Sequence, residues 1–152
     1  MAPRNLTTAA HYQEIVDKYD VLLLDCDGVV WEGDHVLDGI HTTLQHFRQL
    51  GKRIFFVTNN ATKSRAENKK KFDKMGIECH VVRLAPWCGV MRADGGGQDE
   101  IFSSAYATAA YLKTILNFPA DKKVYVIGEK GVEDELDSVG IRHCGGTVSR
   151  SA

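Results

Sequence analysis

No run of apolar residues in this 152-residue chain approaches the roughly 18 needed to cross a membrane, so a membrane partner is not expected. A charge excess is missing too. With 19 Lys and Arg against 20 Asp and Glu, the net charge is -1, which argues against a broad electrostatic grip on nucleic acid or an acidic lipid surface. Residues 1–12 carry no apolar core of a signal peptide, so a secretory leader is not expected. The four cysteines, Cys26, Cys79, Cys88 and Cys144, include no C-x-x-C pair, which disfavours a zinc ribbon or a thioredoxin-type redox site. Without a leader they are read as reduced thiols of a cytoplasmic protein. Cys79-His80 and His143-Cys144 are read as unrelated residues in separate loops rather than a metal set. The first apolar run is not followed by G-x-G-x-x-G, and the two acids found there instead would repel a pyrophosphate, which disfavours a dinucleotide-binding module. There is no internal repeat.

What is present is the ordinary composition of a globular domain, long enough for one core. Thr7 and Thr8 are placed to cap a helix over about 9–18, with Ile15, Val16 and Tyr19 as its apolar side. A buried strand is expected over 20–24. A glycine-rich loop follows. Ile40, Leu44, Phe47 and Leu50 then recur at helical spacing before Gly51. A second strand is expected over 53–57, ending in Thr58-Asn59-Asn60. Ser64 caps a basic helix to Met75, closed by Gly76, with a thin stripe of Ala66, Phe72 and Met75 and a lysine run read as a solvated face. From 79 to 99 the pattern breaks into an irregular insertion. Beyond it, Ser103 or Ser104 starts a helix that ends before Pro119. A strand follows over 123–127, then a short helix over about 132–139 stopped by Gly140, and a tail from Gly145 with no structural signal. Alternating strands and helices imply an α/β fold, a three-layer α/β/α sandwich on a parallel sheet. Right-handed crossovers then bring the ends of the first two strands to one edge.

That edge collects the chemistry. In Leu24-Asp25-Cys26-Asp27-Gly28 two carboxylates, one residue apart, stand at a strand end, where open α/β sheets place their ligands. So close together, they call for a cation or a shared proton. Asp25 is the candidate nucleophile toward phosphorus, and a Mg2+ between it and the phosphate would relieve their repulsion. Asp27 could protonate the leaving oxygen and later deprotonate water. Gly28 lets the backbone turn its N–H groups toward an oxyanion. Thr58 and Asn59 offer hydroxyl, amide and main-chain donors to phosphate oxygens. The competing reading of the acids is a solvated turn after a strand. Cys26, on the alternate face, is read as a core residue rather than a nucleophile. Trp31 is either a substrate platform or a packing aromatic.

These stretches resemble known motifs. Asp25-Cys26-Asp27-Gly28-Val29-Val30-Trp31 resembles the first motif of haloacid-dehalogenase-superfamily (HAD-like) phosphatases, and Val57-Thr58-Asn59-Asn60-Ala61-Thr62-Lys63-Ser64-Arg65 resembles the second. Glu100-Ile101-Phe102-Ser103-Ser104-Ala105-Tyr106 and Val124-Tyr125-Val126-Ile127-Gly128-Glu129 are similar to the group of 4-nitrophenyl-, phosphoglycolate and pyridoxal-phosphate phosphatases. The resemblance implies a Rossmann-like core with an inserted α/β cap. It implies Asp25 as nucleophile and Mg2+ ligand, and Asp27 as general acid/base with its carbonyl on the metal. Thr58, Asn59 and Asn60 would bind the phosphoryl group. The substrate would be a small phosphorylated metabolite, and homo-oligomers are compatible with the resemblance for intact members. Residues 1–118 would then be a partial core, with 79–99 as the insertion, and 119–152 the start of a cap. The family's downstream lysine and Gly-Asp metal segment have no counterpart here. The expectation is therefore an imperfect gene model, or a truncated or mis-spliced product. It would be either a phosphatase of small phosphomonoesters or an impaired fragment of one.

Overall fold

A computed structural model describes residues 5–79 and 100–147 of the chain. The expected irregular stretch lies outside these residues beyond Cys79, as does the chain after Thr147. The first helix, α1 (Ala9–Lys18), starts as its capping residue dictates, with Thr8 Oγ1 accepting from the His11 amide at 3.4 Å. Ile15 and Val16 are half-buried, but Tyr19 caps the helix with its ring 49% exposed, so it lies outside the apolar side.

The first strand, β1 (Val21–Asp25), sits one residue later than its apolar run suggests, which makes Asp25 its last paired residue. A tight loop leads to a two-stranded ribbon of β2 (Trp31–Glu32) and β3 (His35–Val36). Helix α2 (Ile40–Gln49) precedes β4 (Arg53–Thr58), and α3 (Arg65–Lys74) follows it. The start of α3 is a full capping box. Ser64 Oγ accepts from the Glu67 amide, and the Glu67 carboxylate reaches back to the Ser64 amide. Beyond the undescribed stretch come β5 (Ile101–Ser103) and α4 (Ser104–Ala110), with Ser103 as N-cap; α4 runs on into a single wide π turn, Tyr111–Ile115. The last elements are β6 (Val124–Val126), α5 (Lys130–Ser138) and β7 (His143–Gly145).

The architecture is α/β. Strands β1, β4 and β5 form a parallel sheet with β4 in the centre, in a register that sets Asp25 opposite Val57 and Thr58 opposite Ser103. Side chains alternate across a strand. The Ile54–Phe56 face packs with Leu24, Leu44 of α2 and Phe72 of α3 around Cys26, Val30 and Trp31. The other face is open beside the strand ends, where Leu23 is 69% and Val57 41% exposed. Parallel sheets ordinarily bury both faces, so this surface is unusual for its strand type.

A second cluster gathers Ala109, Val126, Leu136 and Ile141, with Leu112 and Phe118 against it. It shows why a tail read as structureless is ordered as far as Thr147. Ile141 is drawn into this cluster, His143 pairs with Val124, and Glu133 Oε1 accepts from both the amide and the hydroxyl of Thr147, at 2.9 and 2.8 Å. His143 and Cys144 therefore lie in a strand rather than in a loop. In α3 the buried residues are Arg65, Asn68 and Phe72, and Ala66 points out; the inward face of this helix is largely polar. Among the described residues no helix is long and apolar enough to cross a membrane.

Candidate active site

Two loops leave the C-terminal edge of the sheet side by side, one after β1 and one after β4. In the first, Asp25 Oδ1 accepts from the Cys26 amide at 2.7 Å, which pins one carboxylate oxygen. The Cys26 carbonyl accepts from the amides of Val29, Val30 and Trp31, so the chain closes on itself within six residues. Gly28 makes that turn with φ 80°, where a Cβ is strained, and donates to the Trp31 carbonyl at 2.7 Å. Asp27 is exposed, and its Oδ1 accepts from the Trp31 indole Nε1 at 2.8 Å. Trp31 is thus neither platform nor mere filler. Its ring is buried edge-on to Phe72, and its polar edge holds the second acid in place.

In the second loop Thr58 is buried, and its Oγ1 accepts from the Asn60 amide at 3.1 Å. Asn60 Oδ1 accepts from both the amide and the hydroxyl of Thr62, at 2.9 and 2.6 Å. Thr58 Oγ1 and Asn60 Oδ1 are therefore engaged as acceptors within the loop itself. Asn59 is exposed, and its carbonyl accepts from the Ser104 hydroxyl at 2.9 Å.

Leu23, Asp25, Val57 and Asn59 line one open hollow of about 340 Å³. The structure thus brings Asp25 and Asn59 together in one recess, with Asp27 and Gly28 in the adjoining turn and Thr58 and Asn60 behind, shaping the second loop. A larger hollow of about 490 Å³, lined by His41, Arg48, Ile77 and Glu78 among others, takes no residue from the strand ends.

Several residues beside the site carry no role in the sequence reading, although Arg65 and Tyr106 close two of the motif stretches. Arg65, Tyr106, Gly131 and Glu135 all converge behind the second loop. Only the pairing of an arginine with a capping position hints at any of this in the sequence.

A model of the haloacid dehalogenase-like hydrolases matches residues 22–142, which takes in both loops and the three-stranded sheet from Leu22 onward. The chain belongs to this family. Along 144 residues it is 44% identical to a 4-nitrophenylphosphatase of Schizosaccharomyces pombe, a match covering 95% of this chain and 43% of that one. It is 42% identical over 146 residues to a chloroplastic phosphoglycolate phosphatase of Arabidopsis thaliana, covering 96% of this chain and 34% of the relative. Among solved structures, a glycerol phosphate phosphatase from Mycobacterium tuberculosis in complex with magnesium superposes with a TM-score of 0.62 at 25% identity, covering 86% of this chain and 33% of that one. The chain thus spans well under half the length of the relatives it matches.

In this haloacid dehalogenase-like chain the remaining nucleophile near the acids is Cys26. Its thiol is 1% exposed and pushed up to about 12, first by burial and then by the charges of Asp27 and Asp25. A thiol held protonated in the core does not compete with Asp25.

Proposed function

We propose that the chain carries the attacking half of an Mg2+-dependent phosphatase site for small phosphomonoesters. The observation that carries this reading is the shared hollow, which sets an exposed strand-end carboxylate, Asp25, beside Asn59. Asp25 attacks phosphorus, forming an acyl phosphate as the ester oxygen departs. Asp27, oriented by the Trp31 indole, gives the departing oxygen its proton. It then takes one from the water that attacks the acyl phosphate, which releases phosphate and restores Asp25. Asn59 and the backbone of the second loop donate to the phosphoryl oxygens.

The donor set fits magnesium. Among the described residues no three His, Cys, Asp or Glu side chains gather. The Asp25 carboxylate and the Asp27 carbonyl are hard oxygens, suited to an ion that keeps several waters. Bound there, the ion would offset the repulsion between carboxylate and phosphate. Residues 119–152 read as the opening of an α/β cap in this scheme, and a cytoplasmic location accords with the thiols. Names among the relatives point to 4-nitrophenyl phosphate, phosphoglycolate and glycerol phosphate as substrates to try.

One observation favours a second reading, an impaired fragment. Among the described residues no lysine or arginine lines the hollow, so positive charge for the transferring phosphoryl group is not supplied there. Hydrolysis of 4-nitrophenyl phosphate with Mg2+, measured for the chain and for Asp25→Asn, separates the two. Turnover that falls to background on substitution supports the phosphatase, with Asp27→Asn costing about 10²–10⁴-fold. Equal background from both proteins supports the impaired fragment.

A further inference from the structure

We propose that α5 is a clamp on the second loop, with Gly131 and Glu135 acting as positioning residues that hold Asn59 and Asn60 in shape.

Three contacts carry this. The first is a close approach of backbones. The Gly131 amide donates to the Thr62 carbonyl at 3.2 Å, and a Cβ on Gly131 would stand 2.5 Å from the Lys63 carbonyl carbon and 2.6 Å from the Ala61 oxygen. Only glycine lets the first turn of α5 lie directly on the loop. The second is Glu135, 2% exposed, whose Oε1 accepts from the Arg65 amide at 2.6 Å while Oε2 lies 3.5 Å from Arg65 Nε. A carboxylate from 70 residues downstream thereby meets the first amide of α3, at the positive end of that helix, where the loop ends. The third is the Arg65 guanidinium, stacked 3.5 Å above the Tyr106 ring of α4, which holds the arginine against that helix.

The loop is consequently gripped from outside at Ala61–Lys63 and at Arg65, the two positions that bracket its turn back into α3. Asn59 and Asn60 sit between these grips and the end of β4. A buried pair like Arg65–Glu135 is weak as a source of stability but demanding in geometry. Its use here is to fix where the loop stands. The consequence for phosphoryl binding rests on the proposed function; the clamp itself does not.

The test follows two readouts in the full chain. Amide hydrogen exchange at Asn60 and Thr62, whose own partners lie inside the loop, reports the clamp without any ligand. Glu135→Ala and Gly131→Ala are expected to speed both amides by about tenfold or more, and Glu135→Gln, which keeps an acceptor for the Arg65 amide, by clearly less. Leu44→Ala, a cavity made from α2 in the first core, supplies a destabilised control. If it speeds Asn60 and Thr62 as much as Glu135→Ala does, the clamp is overturned. Calorimetric titration with inorganic phosphate and Mg2+ is the second readout, with affinity expected to fall about tenfold in Glu135→Ala and to recover in Glu135→Gln. Tight binding by the parent chain that is unchanged in Glu135→Ala and Gly131→Ala overturns the positioning role and leaves the proposed function standing. A parent chain that binds no phosphate overturns the proposed function, and the exchange readout still decides the clamp.

Discussion

The two loops at the sheet edge serve one recess but are built in opposite ways. The loop after β1 is self-contained in the hydrogen bonds that shape its turn. One carbonyl, Cys26 O, gathers three amides, one glycine makes the turn, and one tryptophan from the same heptapeptide holds the acid. The loop after β4 borrows its shape. Its internal bonds between Thr58 and Thr62 are few among the described residues, and its outer side rests on Ser104, Gly131 and Glu135, residues 45 to 70 positions away. On the proposed function, the reacting carboxylate would be carried by the local loop. The contacts to the phosphoryl group would fall to the borrowed one, whose shape depends on α5.

The largest effect expected from breaking this contrast is at Trp31. Its ring is 3% exposed, edge-on to Phe72 at 4.8 Å with Lys71 Nζ 4.4 Å from its centroid. Trp31→Ala removes both the packing and the donor to Asp27, and is expected to cost about 3–5 kcal/mol in urea unfolding. Trp31→Phe keeps most of the packing and loses only the indole N–H, so its cost falls toward about 1.5 kcal/mol. If the first loop is self-contained, exchange at Asn60 and Thr62 stays unchanged in Trp31→Phe. Faster exchange there would mean that the two loops are one unit.

How much of this was legible from the sequence follows the same division. The apolar run ending in Asp25, the glycine turn and the Ser64 cap are local patterns, and each falls within a residue or two of its expected place. The strand boundary slipped by one because pairing with Val57, not hydrophobicity, ends β1. The polar inner face of α3 was missed because Arg65 and Asn68 look like surface residues until Glu135 and Tyr106 arrive from elsewhere in the chain. Strand β7 was missed for the same reason. Three residues, His143 to Gly145, carry no period of their own and are ordered by β6 beside them.

The next effect is on pH dependence. Burial holds the Cys26 thiol protonated up to about 12, against an ordinary value of 9.0. Between these values the unfolded chain has released this proton and the native chain has kept it, so stability is fully present below pH 9 and is lost as pH rises toward 12. Cys79, also raised to about 12 by burial, adds a loss of the same sign. The melting temperature is therefore expected to fall steeply above pH 9, with part of that slope removed in Cys26→Ala. An unchanged slope would show that the first loop opens readily enough to solvate its thiol, contrary to its self-contained build.

Ser64→Ala is the smallest change and cuts closest to the contrast. It removes the N-cap acceptor of α3 from within the second loop and is expected to cost about 1 kcal/mol of stability in urea unfolding. A loop shaped from outside by Gly131 and Glu135 keeps its form when its own cap is lost, so exchange at Asn60 and Thr62 is expected to stay close to the parent value. Exchange as fast as in Glu135→Ala would mean that the capping box sets the loop and that α5 merely rests on it. Both loops would then be local structures, and the reach of α5 across 70 residues would be packing without consequence for the site.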